Sequence, residues 1–371
     1  MAAMPPEVEH STLVARVLWC AFGLSVLAGA VAQRTRLCTM GAVADIVSMG
    51  DWARMRMWAA TAAVAMLGFN AMVGLEWIEA GKSIYAGTQL LWLSALVGGL
   101  MFGFGMVLAS GCGTRNLIRL GGGDLKSLVV LMALGLAAFA TLRGITAVLR
   151  VATLDRVALH FPQGQDLPHM LAPTLGMPAA QLAPCFAFGV AAVLIGWVLR
   201  RPEGRTRAVW IAALGFGGAV IGLWWVSGVV GHLAEDPNTL EEAFLGTNSR
   251  RMESLSMVAP LGYALDWLMY FSDTTKLLTL GIVNAFGLFA GALAMALANR
   301  EFRWTGFSGA GDTAHHLTGG VLMGIGGTLA LGCTIGQGIS GISTLSVGSA
   351  LVVAACIAGA LLGLRYLTWR L

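Results

Sequence analysis

Two stretches of the sequence place a Gly-Cys pair directly after a long apolar run. "GMVLASGCGTRNLIRLGGGD" carries Cys112 and "GGTLALGCTIGQGISGISTL" carries Cys333, while a third cysteine, Cys38, lies in "RTRLCTMGAVADI". A thiol is a weak hydrogen-bond donor and a soft, polarizable acceptor. In a dry pore it can therefore contact a soft sulfur atom without the strong hydration of an ammonium group. It could also act as a nucleophile if a positive environment lowered its pKa.

The alternative for any membrane cysteine is that it packs as a small apolar residue. Repetition at equivalent breaks favours function for Cys112 and Cys333, and we extend the prediction to Cys38, whose counterpart in the second half is Ala259. The other three cysteines lie inside plain apolar helices and are expected only to pack; they are Cys20, Cys185 and Cys356.

Small and polar neighbours complete the expected binding site. The glycines beside the cysteines would leave backbone N–H groups at short-helix N-termini, where the helix dipole favours anions; the alternative is close helix packing. Arg115, with Arg34 and Arg36, would attract an anion, or would sit at the membrane interface. Asn116 and Gln337 would line the pore or hold the broken backbone. The expected translocation residues are Cys38, Cys112, Cys333, Gly111, Gly113, Thr114, Arg115, Asn116, Gly332, Thr334 and Gln337.

Other functions lack a motif. "GGGD" at 121–124 has no GK[ST] ending, so no P-loop is predicted. The cysteines have no zinc-type spacing, and we expect no cofactor, metal or nucleic-acid partner. Asp45 and Asp266 lie on short segments, where we expect them to cap helix N-termini.

The elements that must position these residues are membrane helices. The chain of 371 residues is 57% hydrophobic and only 11% charged, against about 25% charged in soluble proteins. We predict an all-α polytopic membrane protein with about nine transmembrane helices. The predicted spans are 11–32, 57–80, 89–110, 127–149, 180–199, 208–232, 274–298, 314–332 and 345–367. The first is expected to be a retained helix rather than a cleaved signal.

Four glycine-rich segments are too short to cross the membrane as full helices. Such backbone survives at membrane depth only inside protein or beside a wet cavity, so we predict re-entrant segments at 34–50, 112–126, 255–271 and 333–344. The basic loop "RRPEGRTR" favours a cytoplasmic position. On that basis the N-terminus and the loops 150–179 and 233–254 lie outside.

The sequence repeats itself at an offset of 221 residues, the separation of Cys112 and Cys333. Gly98, Gly99, Gly103 and Gly105 then align with Gly319, Gly320, Gly324 and Gly326. We predict a first repeat at 1–149, a linking region at 150–207 with a single helix, and a second, inverted repeat at 208–371. Inverted repeats are a recurring transporter architecture with the site near the bilayer midplane.

Four stretches resemble the YeeE/YedE family of bacterial sulfur-compound transporters. They are "QRTRLCTMGAVADI", "LASGCGTRNLIRLGGGDLKSLV", "PLGYALDWL" and "LALGCTIGQGISG". The resemblance implies an hourglass-shaped inner-membrane permease that takes up thiosulfate, passed between Cys38, Cys112 and Cys333 by S–H···S hydrogen bonds. It also implies a small soluble sulfur-carrier protein as a partner, and we expect a monomer. The alternatives are a permease for selenium or persulfide compounds and a membrane thiol enzyme.

Overall fold

The computed structural model describes residues 6–236, 240–273 and 276–370, and within them the chain is almost entirely helical. Residues 1–5, part of the predicted outer N-terminus, lie outside the described residues, as do 237–239 of the loop 233–254 and 274–275 of the predicted span 274–298. The helices are α1 (Pro6–Thr35), α2 (Thr39–Met49), α3 (Ala53–Gly74), α4 (Trp92–Leu108), α5 (Gly113–Gly121), α6 (Leu125–Arg143), α7 (Ile145–Ala152), α8 (Leu167–Leu175), α9 (Ala179–Leu199), α10 (Arg207–Ile211), α11 (Gly217–Trp225), α12 (Val258–Met269), α13 (Leu280–Ala298), α14 (Ala310–Leu329) and α15 (Val347–Arg370).

The remaining regular structure is short. Three π-helical turns occur at Ala212–Phe216, Val226–Val230 and Gly336–Gly341, and 3-10 turns at Ala80–Lys82, Leu154–Arg156 and Pro202–Arg205. Strand β1 (Gln89–Leu90) pairs antiparallel with β2 (Leu159–His160), with Gln89 opposite His160. Strand β3 (His232–Leu233) pairs in the same way with β4 (Ala243–Phe244), with His232 opposite Phe244.

Eight helical segments of the described chain are long and apolar enough to cross a membrane, which confirms an all-α polytopic membrane protein. They are His10–Met49, Ala53–Gly74, Trp92–Gly121, Leu125–Arg143, Ala179–Leu199, Arg207–Val230, Leu280–Ala298 and Val347–Trp369. Eight of the nine predicted spans overlap them. The span predicted at 127–149 ends earlier, at Arg143, because Gly144 interrupts the helix and α7 starts a new one.

The ninth predicted span, 314–332, forms helix α14 but is not apolar enough to count among these eight. Its first turns carry Asp312 and His316, and the Asp312 carboxylate pairs with Lys126 at 2.7 Å. Helix α14 packs against α4 on one side and α6 on the other. The polar residues lie in its first turns, which are mostly exposed or half-buried, whereas its later glycines are buried against α4 and α6.

All four segments predicted to be re-entrant adopt short helical structure. The segment 34–50 contains the end of α1 and then α2, 112–126 contains α5, 255–271 contains α12, and 333–344 contains the π-helical turn Gly336–Gly341. Each short helix follows an abrupt change in chain direction, so its N-terminus lies within the protein.

Glycines bring α4 and α14 into direct backbone contact. A Cβ atom added to Gly98 would lie 2.6 Å from the carbonyl oxygen of Gly326, and one added to Gly319 would lie 2.6 Å from that of Gly105. The 221-residue offset relates the two contacts: Gly98 aligns with Gly319 and Gly105 with Gly326, so each contact maps onto the other. Such close approach requires residues without side chains, and the two contacts show that α4 and α14 pack antiparallel to each other.

Candidate functional site

The two Gly-Cys breaks share one backbone geometry. Ser110 and Leu331, which are 221 residues apart, both take the left-handed conformation, with φ of 54° and 55°. This region is sparsely populated by residues with a side chain and marks a strained turn. After each turn, the N–H of Gly111 donates to the carbonyl of Met106, and that of Gly332 donates to Gly327, both at 2.8 Å.

These bonds correct one sequence expectation. The N–H groups of Gly111 and Gly332 were expected to be open to an anion, but each closes the helix before its cysteine. The donor is instead the backbone N–H of the residue three positions after the cysteine. Sγ of Cys38 accepts from the N–H of Gly41 at 3.3 Å, and Sγ of Cys333 accepts from that of Gly336 at 3.2 Å.

The sulfur of Cys112 also lies close to the backbone of Arg115 at the start of α5, but Cys112 caps this helix without a side-chain hydrogen bond. Cys38 and Cys112 are the N-cap residues of α2 and α5. All three thiols are buried: Cys38 is 8% exposed, Cys112 2% and Cys333 0%. A sulfur atom at a helix N-terminus faces the positive end of the helix dipole.

The thiols of the two predicted halves meet through threonine hydroxyls. Thr114 Oγ1 lies 3.9 Å from Cys333 Sγ. In the reverse direction Thr334, which follows Cys333, contacts the thiol of Cys112, and Cys112 is within electrostatic range of both Cys38 and Cys333. The fold therefore brings all three cysteines predicted to bind the solute into one buried neighbourhood, which we call the thiol neck.

Two hydroxyls beside the thiol neck have no geometric hydrogen-bond partner. They are Oγ1 of Thr39, next to Cys38, and Oγ1 of Thr334, next to Cys333. Buried hydroxyls are usually satisfied. Within the described residues, the neck therefore contains hydroxyl groups that make no geometric hydrogen bond to the rest of the protein.

The two amide side chains of the predicted site hold the broken backbone together. Asn116 Nδ2 donates to the carbonyls of Gly111 at 2.8 Å and Cys112 at 3.1 Å. Gln337, which aligns with Asn116 at the 221-residue offset, donates through Nε2 to Ala330 at 2.6 Å. Their amide oxygens accept from Ser127 and Ser349. Of the two roles considered, the contacts favour the structural one.

The remaining glycines of the site are tightly packed. A Cβ atom at Gly113 would lie 3.2 Å from Leu134, and one at Gly332 would lie 3.3 Å from the Gln337 side chain. A Cβ atom at Gly111 would come within 3.0 Å of Arg115. Of the two alternatives for these glycines, the contacts favour close packing.

On the side of Cys38 and Cys112 lies a cavity of about 560 Å³ that is open to solvent. We call it the arginine basin. It includes Arg115, whose Nη1 is buried without a hydrogen-bond partner among the described residues. Arg54 reaches over the first turn of α2, with its Nη1 2.5 Å from where a Gly41 Cβ would lie. The charged lining residues are Arg36, Arg54, Arg115, Arg119, Arg300, Arg303, Asp124 and Glu301.

On the side of Cys333 lies a smaller cavity of about 150 Å³, which we call the tyrosine cavity after Tyr85 and Tyr263. The Tyr85 hydroxyl shares a hydrogen bond with Ser256. Gly336, whose N–H binds the Cys333 sulfur, faces both hydroxyls. Sequence reasoning missed Tyr85 and Ser256, and the available signal was weak: isolated hydroxyls in a connecting segment and before "PLGYALDWL".

The two aspartates do not cap helices as expected. Asp45 lies in the middle of α2 and pairs with Arg54 at 3.1 Å, while Asp266 lies near the C-terminal end of α12 and pairs with Lys276 at 2.7 Å. An N-cap residue must precede the first turn, so the capping prediction was wrong. The pairs neutralise carboxylates that are otherwise nearly buried.

Of the other three cysteines, two lie on the surface and one, Cys356, is buried within electrostatic range of Cys112 and Cys333. Cys20 and Cys185 are exposed on helix surfaces. Cys356 is buried on α15, where its backbone packs against Gly103. Among the described residues, no group of three or more His, Cys, Asp or Glu side chains could hold a metal ion.

Comparison with known proteins gives a consistent result. A family model described as "Sulphur transport" matches residues 34–362. A protein of Escherichia coli named "Thiosulfate transporter TsuA" is 27% identical over 324 residues, which covers 84% of this chain and 84% of that protein. A protein of Spirochaeta thermophila with the same name is 25% identical over 340 residues, covering 90% and 94%. These names are those of transporters and not of enzymes.

Proposed function

Because the chain belongs to the sulphur transport family, we propose that it carries thiosulfate, or a closely related small sulfur-containing anion, across the bacterial inner membrane. The observation that supports this most directly is the thiol neck. Thr114 of one predicted half meets Cys333 of the other, and Thr334 meets Cys112. Thiosulfate combines a soft sulfur atom with hard oxygens, so thiols and hydroxyls side by side match both ends of the anion.

The solute passes between the sulfurs of Cys38, Cys112 and Cys333 by S–H···S hydrogen bonds. Each thiol donates to the soft sulfur while nearby hydroxyls, such as the unpartnered Oγ1 of Thr39 and Thr334, donate to the oxygens. The hydrogen bonds that the sulfurs of Cys38 and Cys333 accept from backbone N–H groups leave their S–H groups free to point into the passage. Asn116, Gln337 and the glycines keep the breaks in shape.

The two cavities form the ends of an hourglass. The arginine basin faces the cytoplasm, in agreement with the basic loop 200–207 and the positive-inside rule. Its guanidinium groups attract the anion as it leaves the neck, and Arg115 lies within electrostatic range of Cys38 and Cys112. The tyrosine cavity faces the outside and receives the solute beside Cys333.

Two inverted repeats, 1–149 and 208–371, build this path around the linking helix α9. The reciprocal contacts of Gly98 with Gly326 and of Gly105 with Gly319 support a two-fold relation, since the 221-residue offset converts one contact into the other. The paired left-handed residues Ser110 and Leu331 support the same relation.

The test is uptake of ³⁵S-labelled thiosulfate by proteoliposomes that contain the purified protein. We expect uptake above that of empty liposomes, competition by unlabelled thiosulfate, and little competition by sulfate, which has no soft sulfur. Absence of uptake by folded protein would exclude the proposal. Mass spectrometry during turnover separates the thiol-enzyme alternative, which requires a covalent adduct on Cys112 or Cys333. A soluble sulfur-carrier partner and a monomeric state stay predictions, tested by co-purification and by mass photometry.

A further inference from the structure

One acidic side chain of the tyrosine cavity has no part in the proposed path. Glu253 lies between β4 and α12 and lines the cavity. One of its carboxylate oxygens accepts a hydrogen bond from the N–H of Ser249 at 2.9 Å. The backbone of Asn248 also interacts with this carboxylate. These contacts fix the position of the carboxylate but supply no compensating positive charge.

The groups that face Glu253 come from several elements. Helix α7 contributes Arg150, whose Nε is paired with Asp155 at 3.1 Å. The segment before α4 contributes Tyr85, and α12 contributes Tyr263; both phenols are within electrostatic range of Glu253. The parts of α6 and α14 that line the cavity are uncharged: Leu142, Gly327 and Thr328. The cavity wall of the described chain thus carries one carboxylate and one cation that is already paired.

Tyr85 and Ser256 of the cavity wall lie close to the Cys333 break. Tyr85 is within electrostatic range of Glu253 and of Cys333, and its hydroxyl shares a hydrogen bond with Ser256. Gly336 lies directly beneath these hydroxyls and binds the Cys333 sulfur through its N–H. An anion that reaches Cys333 by this route must pass the carboxylate.

We infer that Glu253 is a proton-binding site of the transport cycle, and that the anion enters the tyrosine cavity when this carboxyl group is protonated. A dianion and a carboxylate repel each other strongly in a partly desolvated cavity. Burial raises the pKa of Glu253 above its ordinary value and outweighs the hydrogen bonds from Ser249 and Asn248, which lower it. The proton comes from water on the side of the tyrosine cavity and returns to water when the anion has moved on.

Linkage makes this relation reciprocal: if protonation favours anion binding, anion binding must draw a proton onto the protein. The inference rests on the proposed function, so the experiment must separate the two. Thiosulfate binding to the detergent-solubilised full-length protein is measured by isothermal titration calorimetry at neutral pH. Two buffers of different ionisation enthalpy are compared, because the difference in apparent enthalpy gives the number of protons taken up.

We expect the wild-type protein to take up a fraction of a proton per bound anion and Glu253→Gln to take up none. Glu253→Asp should restore uptake, since it keeps a titratable carboxyl. Glu79→Gln is the matched control, because Glu79 is an exposed carboxylate on the same side that pairs with Lys82. In proteoliposomes, transport by the wild type should fall by about tenfold as external pH rises from about 5.5 to about 8.5, whereas Glu253→Gln should give a flat profile.

Thiosulfate binding with the same proton uptake in wild type and Glu253→Gln would overturn this inference alone. Failure of the folded wild-type protein to bind thiosulfate would overturn the proposed function and this inference together. If Glu253→Gln does not fold, Glu253→Asp decides the matter, because its shorter side chain must shift the midpoint of the pH profile if the carboxyl group is the one that titrates.

Discussion

The hydroxyl of Thr114 lies 3.9 Å from the thiol of Cys333, although 219 residues separate them in the chain. This contact joins the two segments that the sequence repeat relates, and it lies between a hard and a soft hydrogen-bonding group. Selectivity for a sulfur anion can therefore be tested by changing the softness of this pair while keeping its size.

Replacing Cys333 or Cys112 by serine should abolish most transport without unfolding the protein. Serine keeps a donor but exchanges a soft acceptor for a hard, better-hydrated one, so we expect ³⁵S-thiosulfate uptake to fall by at least about tenfold, a loss of roughly 1.4 kcal/mol of transition-state stabilisation. The measurement is initial uptake in proteoliposomes at matched protein content. Cys356→Ser is the buried control and Cys20→Ser the exposed one, and both should retain transport. Equal losses in Cys356→Ser would show that the effect is one of packing.

Arg115 should contribute to anion affinity through charge. Arg115→Gln removes a cation within electrostatic range of Cys38 and Cys112, and we expect the KM for thiosulfate to rise about threefold to tenfold, with a weaker dependence of uptake on salt. Arg115→Lys should keep most of the affinity. The control is Arg207→Gln, which removes an exposed arginine outside the arginine basin. A rise in KM of the same size in the control would indicate a general surface effect.

Alanine at Gly98 or Gly326 should destabilise the helix pair at the centre of the fold. The added Cβ would lie within 2.6 Å of a backbone carbonyl that cannot move aside. We expect a loss of about 1–3 kcal/mol in the free energy of unfolding, as found for overpacked cores. Thermal unfolding in detergent measures this. Gly189→Ala is the control, because a Cβ there meets nothing within 4 Å, and a helical Gly to Ala change in open space should be neutral or stabilising.

Asn116→Ala and Gln337→Ala should lower the stability of the protein and leave its anion selectivity unchanged. Each change leaves buried carbonyls at a Gly-Cys break without a donor, a loss of about 1–3 kcal/mol. We therefore expect a lower unfolding temperature, with competition between thiosulfate and sulfate unchanged. The exposed Asn299 provides the control. A change in anion preference without a change in unfolding temperature would instead place these amides in contact with the solute.

Helix α8 provides a pH-dependent contribution to stability outside the membrane-spanning segments. The hydrogen bond from His169 to Asp166, at 2.6 Å, raises the pKa of His169 above its ordinary value of 6.5. A raised folded-state pKa contributes stability that is fully present below pH 6.5 and is lost as the pH rises through the folded-state pKa. The unfolding temperature of wild type should thus fall over this range more than that of His169→Gln. His160→Gln, at an exposed histidine of β2, should behave like wild type.

The sequence predicts the membrane class, most helices and the thiol neck, because these depend on local hydropathy and on a repeated Gly-Cys pattern. It does not show that the helix predicted at 314–332, α14, which is less apolar than the eight segments above, buries its glycines against α4 and α6. Asp45 and Asp266 illustrate a second limit. Capping was expected from their position in short segments, but the partners Arg54 and Lys276 come from the chain after each segment.

The tyrosine cavity is the part of the site that local sequence patterns predict least. Tyr85, Ser256 and Glu253 lie in connecting segments with no periodicity, and only the fold brings them to one cavity above Cys333. No local pattern distinguishes a carboxylate that faces a cavity from one that faces water.

The reciprocal glycine contacts between α4 and α14 also bear on the rate of transport. Two backbones in van der Waals contact at four positions form a stiff axis, and neither helix can rock past the other without breaking that contact. We therefore expect the proposed passage beside this axis to open by rotation of thiol and hydroxyl side chains and not by domain motions, which take microseconds to milliseconds. Flux through the protein should accordingly saturate at high turnover and depend little on the thickness of the surrounding bilayer.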